Sequence, residues 1–249
     1  IYNNSGAVTV SNSIFSGNNA YRGGGISNNS GGAVTVSNST FENNTTANHG
    51  AGIYNNSGAV TVSNSTLSGN YASRGGGIFN DNSGTVTVSN NTFSSNSAGS
   101  SAGAIFSDSG TVTVSDSTFS GNNAGVDGGG IKNRGALTVS NSTFFGNSAN
   151  GTGGGIYNLA GTLTVNNSTF FGNSATYLGG GIKVYGGTVS VSNSTFSGNG
   201  AETGGSVQNY IGAVTLKNTI VTNSPTGGNC SGTITDGGGN LSYPDATCP

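Results

Sequence analysis

Histidine occurs once in this chain, cysteine twice and proline three times, and Lys and Arg together make up only 6 of 249 residues. Each scarcity excludes something. His49 and two cysteines are too few for a Cys/His metal site, which takes three or four such ligands, so no metal or other cofactor is expected. Six basic residues in a net charge of −2 cannot form the basic surface that neutralises nucleic-acid phosphates. No run of about 18 apolar residues is present to span a membrane as a helix. Apolar residues nowhere recur at i, i+3, i+4 and i+7 for long enough to make an amphipathic helix. Charged residues are 6% and hydrophobic residues 31% of the chain, with 47 glycines, a composition that by itself describes a disordered polymer.

What the chain has is repetition. The block Gly23-Gly24-Gly25-Ile26 recurs with its aliphatic residue at Ile53, Ile78, Ile105, Ile131, Ile156, Ile182 and Val207, at spacings of 27, 25, 27, 26, 25, 26 and 25 residues. An alternating triplet, Val8-Thr9-Val10 in the first copy, keeps the same beat at Val34, Val60, Val86, Val112, Leu137, Leu163, Val189 and Val214. Five residues beyond each triplet stands Phe15, Phe41, Leu67, Phe93, Phe119, Phe144, Phe170, Phe196 or Val221. The two-residue alternation, the β-branched triplets and the bounding Gly, Ser and Asn clusters mark short strands. A period in this range marks a solenoid. The fold class is therefore all-β, a parallel β-helix of about nine coils of ~26 residues with three short strands per coil. At about 4.8 Å between coils the rod is roughly 40 Å long. Stacking turns the two triplet aliphatics, the Phe and the Ile of each coil into four apolar columns, and each coil is stabilised chiefly by its two neighbours.

Asparagine recurs as regularly. Asn18, Asn44, Asn70, Asn96, Asn122, Asn147, Asn173 and Asn199 each lie three residues beyond the Phe position. A second column runs through Asn12, Asn38, Asn64, Asn90, Asp116, Asn141, Asn167, Asn193 and Asn218. Side-chain amides at turns satisfy backbone groups, tolerate left-handed conformations and, stacked at the coil spacing, bond to one another. Both columns read as structural ladders, and the Asn-Ser-Thr patterns inside them follow from the repeat without implying glycosylation.

The repeat spans residues 1–221. Residues 222–249 hold all three prolines and both cysteines, and read as a C-terminal cap closed by a Cys230–Cys248 disulfide, which fits an oxidising compartment. The chain opens in mid-repeat, since Ile1-Tyr2-Asn3-Asn4 aligns with Ile53-Tyr54-Asn55-Asn56. It is expected to be a fragment, a processed product or one link in a longer stack. If Ile1 is the mature terminus, the open coil there is a template for head-to-tail pairing with another copy.

The paired motifs Gly-Gly-Gly-Ile and Phe-Ser-Gly-Asn resemble the two repeat signatures of chlamydial polymorphic outer-membrane proteins. More broadly the chain is similar to right-handed parallel β-helix repeat proteins of bacterial surfaces. Its tail, Asn229-Cys230-Ser231-Gly232 through Cys248, is similar to the end segment of large surface β-helix proteins. The resemblance implies right-handed coiling and a secreted adhesin, stalk or passenger region, and carries over no catalytic residue.

Three further patterns bear on function. Asp81, Asp108 and Arg134 each follow a block Ile by three residues and should stack, as a ladder pair or, less simply, a cation or sugar site. Arg22, His49 and Arg74 precede it by four, with Asp127 two coils on, and read as a solvated turn or a stripe for an anionic glycan. The outward threonines Thr35, Thr61, Thr87, Thr113 and Thr138, with Thr9, Thr164, Ser190 and Thr215, form one row beside a row of serines, a candidate binding face similar to the Thr rows of ice-binding solenoids. The leading expectation is a non-enzymatic extracellular protein at the cell surface: an adhesin or stalk, or a filament subunit. Its partners would be further copies of itself, neighbouring surface or matrix components, or glycans. The alternatives are an ice-binding solenoid and a polysaccharide-active β-helix.

Overall fold

The computed structural model describes residues 1–249 and contains strands only. Three parallel sheets of ten strands run the length of the rod. The isoleucine sheet begins with Tyr2–Asn4 and ends with Cys230–Ser231, the valine sheet runs from Ala7–Ser11 to Thr235–Asp236, and the phenylalanine sheet from Ile14–Ser16 to Leu241–Tyr243. Beyond the three strands per coil expected from the sequence, seven coils carry a fourth, forming a turn sheet from Asn19–Arg22 to Ser174–Ala175. Its strands are up to five residues long at first, as in Thr45–His49 and Ser97–Ser101, and two residues long from Asn123–Ala124 onward. This is the stretch between the Phe position and the glycine block, where the repeat length drifts. The same sheet carries the register shifts, for example between Ala72 and Arg74.

The valine sheet pairs without slippage: Val60 faces Val34 and Val86, and Thr61 faces Thr35 and Thr87. Alternation then sends every Val inward and every Thr outward. One cluster of 37 buried residues fills the interior, built from the triplet aliphatics, the Phe column and the block Ile residues. From Phe93 through Phe119, Phe144 and Phe170 to Phe196, successive ring centroids lie 4.6–4.7 Å apart and within 6° of parallel. That distance is essentially the coil spacing, so the rings stack because the backbone does.

Inside the corner after the phenylalanine sheet runs a hydrogen-bonded amide ladder. Asn96 Nδ2 donates to Leu67 O at 2.8 Å and to Asn122 Oδ1 at 3.0 Å. Its Oδ1 accepts from the Asn70 backbone N–H at 3.1 Å and from Asn70 Nδ2 at 2.9 Å. The pattern repeats from Asn18 to Asn199, with every member from Asn44 onward fully buried. A second buried amide ladder, which the sequence reading missed, follows the block Ile by two residues: Asn3, Asn28, Asn55 and Asn80 are linked at 2.8 Å, as are Asn133 and Asn158 at 2.7 Å. Ser107 and Val184 interrupt it.

The column of Asn12, Asn38, Asn64 and Asn90 is different. Its residues hold φ between 48° and 55° at an exposed corner, where Asn tolerates the left-handed region. Only scattered amide contacts join them, such as Asn90 to Asn64 at 2.6 Å. Their contribution is the backbone conformation rather than a continuous ladder. The glycine block serves close approach: a Cβ on Gly76 would sit 2.5 Å from both Gly103 O and Ser97 O.

The segment after Val221 adds a shorter coil to the three long sheets. There Asn229, fully buried, donates to Val221 O at 3.2 Å in the manner of the ladder asparagines. A Cys230–Cys248 disulfide, Cα–Cα 4.9 Å, joins the end of the core. No helix is long and apolar enough to cross a membrane.

The contrast between the two Asn columns is measurable. Asn96→Ala strands Leu67 O and the Asn70 amides and should cost about 3 kcal/mol in denaturant unfolding. Asn90→Gly, at an exposed left-handed corner, should change stability by less than about 0.5 kcal/mol. Equal costs would show that burial of the ladder is not what matters.

Candidate functional site

Along the isoleucine sheet, the block Ile and the Asn two residues later point inward, so the residues between and beyond them point out. The first outward column is Ser27, Tyr54, Phe79, Phe106, Lys132, Tyr157, Lys183 and Gln208. The second holds Asp81, Asp108, Arg134, Tyr185 and Tyr210. Although the first column faces away from the core, Tyr54, Phe79, Phe106, Lys183 and Gln208 are all buried. The turn sheet and the bends that follow it rise beside them. Arg22, His49, Arg74 and Ser101 are paired coil to coil in that wall, continued by Asp127, Thr152, Leu178 and Thr203. The result is a groove: the first column is its floor, the turn residues are one wall and the second column is the other.

Two cavities occupy the groove end to end and share Asp127. One of about 190 Å³ lies between Arg74, Ser101, Phe106, Asp127, Lys132 and Arg134. The next, of about 330 Å³, is lined by Asp127, Thr152, Tyr157, Leu178, Lys183, Tyr185 and Tyr210.

The groove changes chemistry along its length. Its first part is aromatic. The His49 ring lies 4.3 Å from that of Phe79, which lies 4.9 Å from Phe106. Arg22 packs over the Tyr54 ring at 5.1 Å and donates to its hydroxyl at 3.2 Å, and that hydroxyl donates to Asp81 Oδ2 at 3.2 Å. Burial, with Arg22 and Arg74 on either side, holds the His49 imidazole below its ordinary pKa. The turn expected to be simply solvated therefore keeps a half-buried neutral histidine capping an aromatic stack. Burial likewise raises the Tyr54 phenol.

The middle part is ionic. Lys132 Nζ donates to Asp127 Oδ2 at 3.0 Å and Ser101 Oγ at 3.1 Å, lying 5.1 Å from the centre of the Tyr157 ring. Thr152 Oγ1 donates to the other Asp127 oxygen at 3.0 Å. Arg134 pairs with Asp108 at 2.6 Å. Asp81 and Asp108 do occupy neighbouring coils, as their shared spacing implied, but each has its own partner, Tyr54 and Arg134.

The last part is built from tyrosines around Lys183. Its ammonium donates to Gln208 Oε1 and lies 5.4 Å from the centre of the Tyr210 ring. Burial lowers the Lys183 pKa to about 8. Burial, with Asp127 second, pushes the Tyr157 phenol up to about 12, so it remains a hydrogen-bond donor at any ordinary pH.

The sequence reading singled out both walls in part, through Asp81, Asp108, Arg134, Arg22, His49, Arg74 and Asp127. It passed over the floor, whose signal was available: the residue after the block Ile is aromatic at Tyr54, Phe79, Phe106 and Tyr157, which a solvated column has no reason to be. The candidate threonine face lies elsewhere, on the outer surface of the valine sheet, where Thr35, Thr61, Thr87, Thr113 and Thr138 align in unbroken register.

A family model described as a right-handed β-helix region matches residues 1–170 and again residues 76–242. Together with the stacked parallel sheets, this makes the chain a member of the right-handed β-helix family. No curated protein and no solved structure matches it.

A protonation consequence follows for His49. Unfolded histidine takes up a proton near pH 6.5, whereas the folded form resists it to lower pH. The unfolded state thus binds more protons in that window, and stability falls as pH drops below 6.5. His49→Phe should extend the stack and flatten this stretch of the stability–pH curve between pH 6.5 and 5, measured by thermal melts. An unchanged slope would place the acid sensitivity elsewhere.

Proposed function

We propose that this chain is a non-enzymatic extracellular interaction module, an adhesin- or stalk-like β-helical rod of the bacterial-surface kind, that holds glycans along the groove on its isoleucine sheet. The observation that carries this is the groove: a floor and wall of aromatic rings interleaved with hydrogen-bonding and charged groups, at one coil per step. Sugars present an apolar ring face and a rim of hydroxyls, so aromatic platforms beside polar groups match them. Linear repetition suits a linear polymer. The Cys230–Cys248 disulfide supports an oxidising, extracellular setting. The carboxylates Asp81, Asp108 and Asp127 are each engaged by a neighbour, which favours structural and binding roles for them over proton transfer.

Affinity electrophoresis through gels loaded with individual polysaccharides tests the reading. At least one polymer should retard the protein, and Tyr185→Ala/Tyr210→Ala should weaken that retardation about tenfold, while Thr61→Lys on the valine sheet leaves it unchanged. Free migration in every polymer would sink the glycan reading. Release of new reducing ends from a retained polymer would sink the non-enzymatic one.

The in-register threonines favour a second reading, ice binding by the valine sheet. It requires thermal hysteresis that Thr61→Lys, Thr87→Lys and Thr113→Lys abolish together; freezing behaviour no different from that of an inert protein would dispose of it.

A further inference from the structure

Lys183 stands out among the charged residues of the groove. It is 3% exposed, and no carboxylate is paired with it. The two ion pairs of the molecule, Lys132–Asp127 and Arg134–Asp108, use other cations. A single amide oxygen, that of Gln208, accepts from its ammonium. A buried cation without a counter-ion is costly, and an apolar side chain of similar volume would pack there without that cost. Lys183 also lines the 330 Å³ cavity between Tyr157, Tyr185 and Tyr210, with its ammonium 5.4 Å from the centre of the Tyr210 ring. Asp127, the one carboxylate on that lining, is held by Lys132 and by Thr152, both at 3.0 Å. The cavity is thus left with one uncompensated positive charge, a phenol donor at Tyr157 and two exposed rings, Tyr185 and Tyr210, with centroids 5.3 Å apart.

We infer that this cavity is a subsite for an acidic sugar, a pyranose whose carboxylate pairs with Lys183 while its ring lies against Tyr185 and Tyr210. The inference rests on the glycan reading of the groove and names the class of residue it accepts at this point. The carboxylate supplies the missing counter-charge, and the phenol of Tyr157 supplies a donor to a ring hydroxyl. The volume lies at the lower end of ordinary ligand pockets, matching one sugar residue rather than an oligomer.

Calorimetric titration with tetragalacturonate and with its methyl ester, in which methylation removes the negative charges, tests this. The acid should bind at least tenfold more tightly than the ester at pH 7. Lys183→Met should bring the acid down to the ester's affinity, and Lys183→Arg should retain the preference. The groups facing Lys183 are Tyr157, Tyr185, Tyr210 and Asp127, with Lys132 behind Asp127. In the unmodified protein the preference should fade between pH 7 and 9.5 as Lys183 loses its proton, and it should persist to pH 9.5 in Lys183→Arg. This pH series decides the matter even if Lys183→Met fails to fold.

Equal binding of acid and ester, or a preference untouched in Lys183→Met, overturns the acidic-sugar subsite and leaves the glycan groove standing. Absence of binding by acid, ester and every neutral polysaccharide overturns both. Dextran sulfate binding as tightly as the acid, with the same dependence on Lys183, overturns the carboxylate assignment in favour of a general anion site.

Discussion

Every coil of this rod has to repeat the axial height of the coil beneath it, because the inter-coil backbone hydrogen bonds of three ten-stranded sheets allow nothing else. That constraint sets the side chains. Inward positions can hold only groups that tolerate an identical neighbour at the coil spacing: aliphatics, flat rings lying parallel, or amides that donate upward and accept from below. Phe and Asn meet the requirement by opposite chemistry. The rings stack by dispersion, whereas the amides of the Asn18–Asn199 ladder convert buried polarity into continuous hydrogen bonding, so that corner carbonyls such as Leu67 O are not left unpaired. The low hydrophobic content is sufficient because the inward columns of the interior coils are fully used: Val62, Phe93 and Ile105 are all completely buried.

Variation falls at the two corners that flank the isoleucine sheet, and on its far side the block Ile and the triplet are six residues apart at Ile131–Leu137 and eight at Ile26–Val34. Coil length changes between the Phe position and the glycine block, where the turn sheet shifts register and shortens from five-residue to two-residue strands. This irregular side flanks the groove. A regular scaffold therefore supplies evenly spaced floor positions, and an irregular wall makes each step of the groove chemically different, aromatic at Phe79, ionic at Lys132 and tyrosine-lined at Lys183. Binding sites on loops held by a rigid frame follow the same division.

The coil, its four inward columns and the shared spacing of the charged residues were legible in the sequence because the interval from triplet to Phe never changes. The fourth strand was not, since the segment that forms it has neither alternation nor constant length. The groove floor was misjudged for a different reason. A two-residue period tells which face of a strand a side chain occupies, but not what else folds over that face. Tyr54 and Lys183 point away from the core and are nonetheless buried, by residues that belong to the turns. The Asn3–Asn28–Asn55–Asn80 ladder escaped notice because an inward polar residue looks like a turn residue until its axial partners are known.

The orientation of the hydrogen bonds has a mechanical consequence. In these sheets they run along the rod axis, so a pull on its two ends loads them coil after coil in series rather than sharing the load across many at once. The coil least well held gives way first and its neighbours survive, since each depends only on the next. Every coil released frees about 26 residues, on the order of 90 Å of extended chain, against the roughly 5 Å it occupied in the stack. A tether built this way limits the force it transmits by lengthening in discrete steps, and the stack that remains is the template on which the lost coil can wind again.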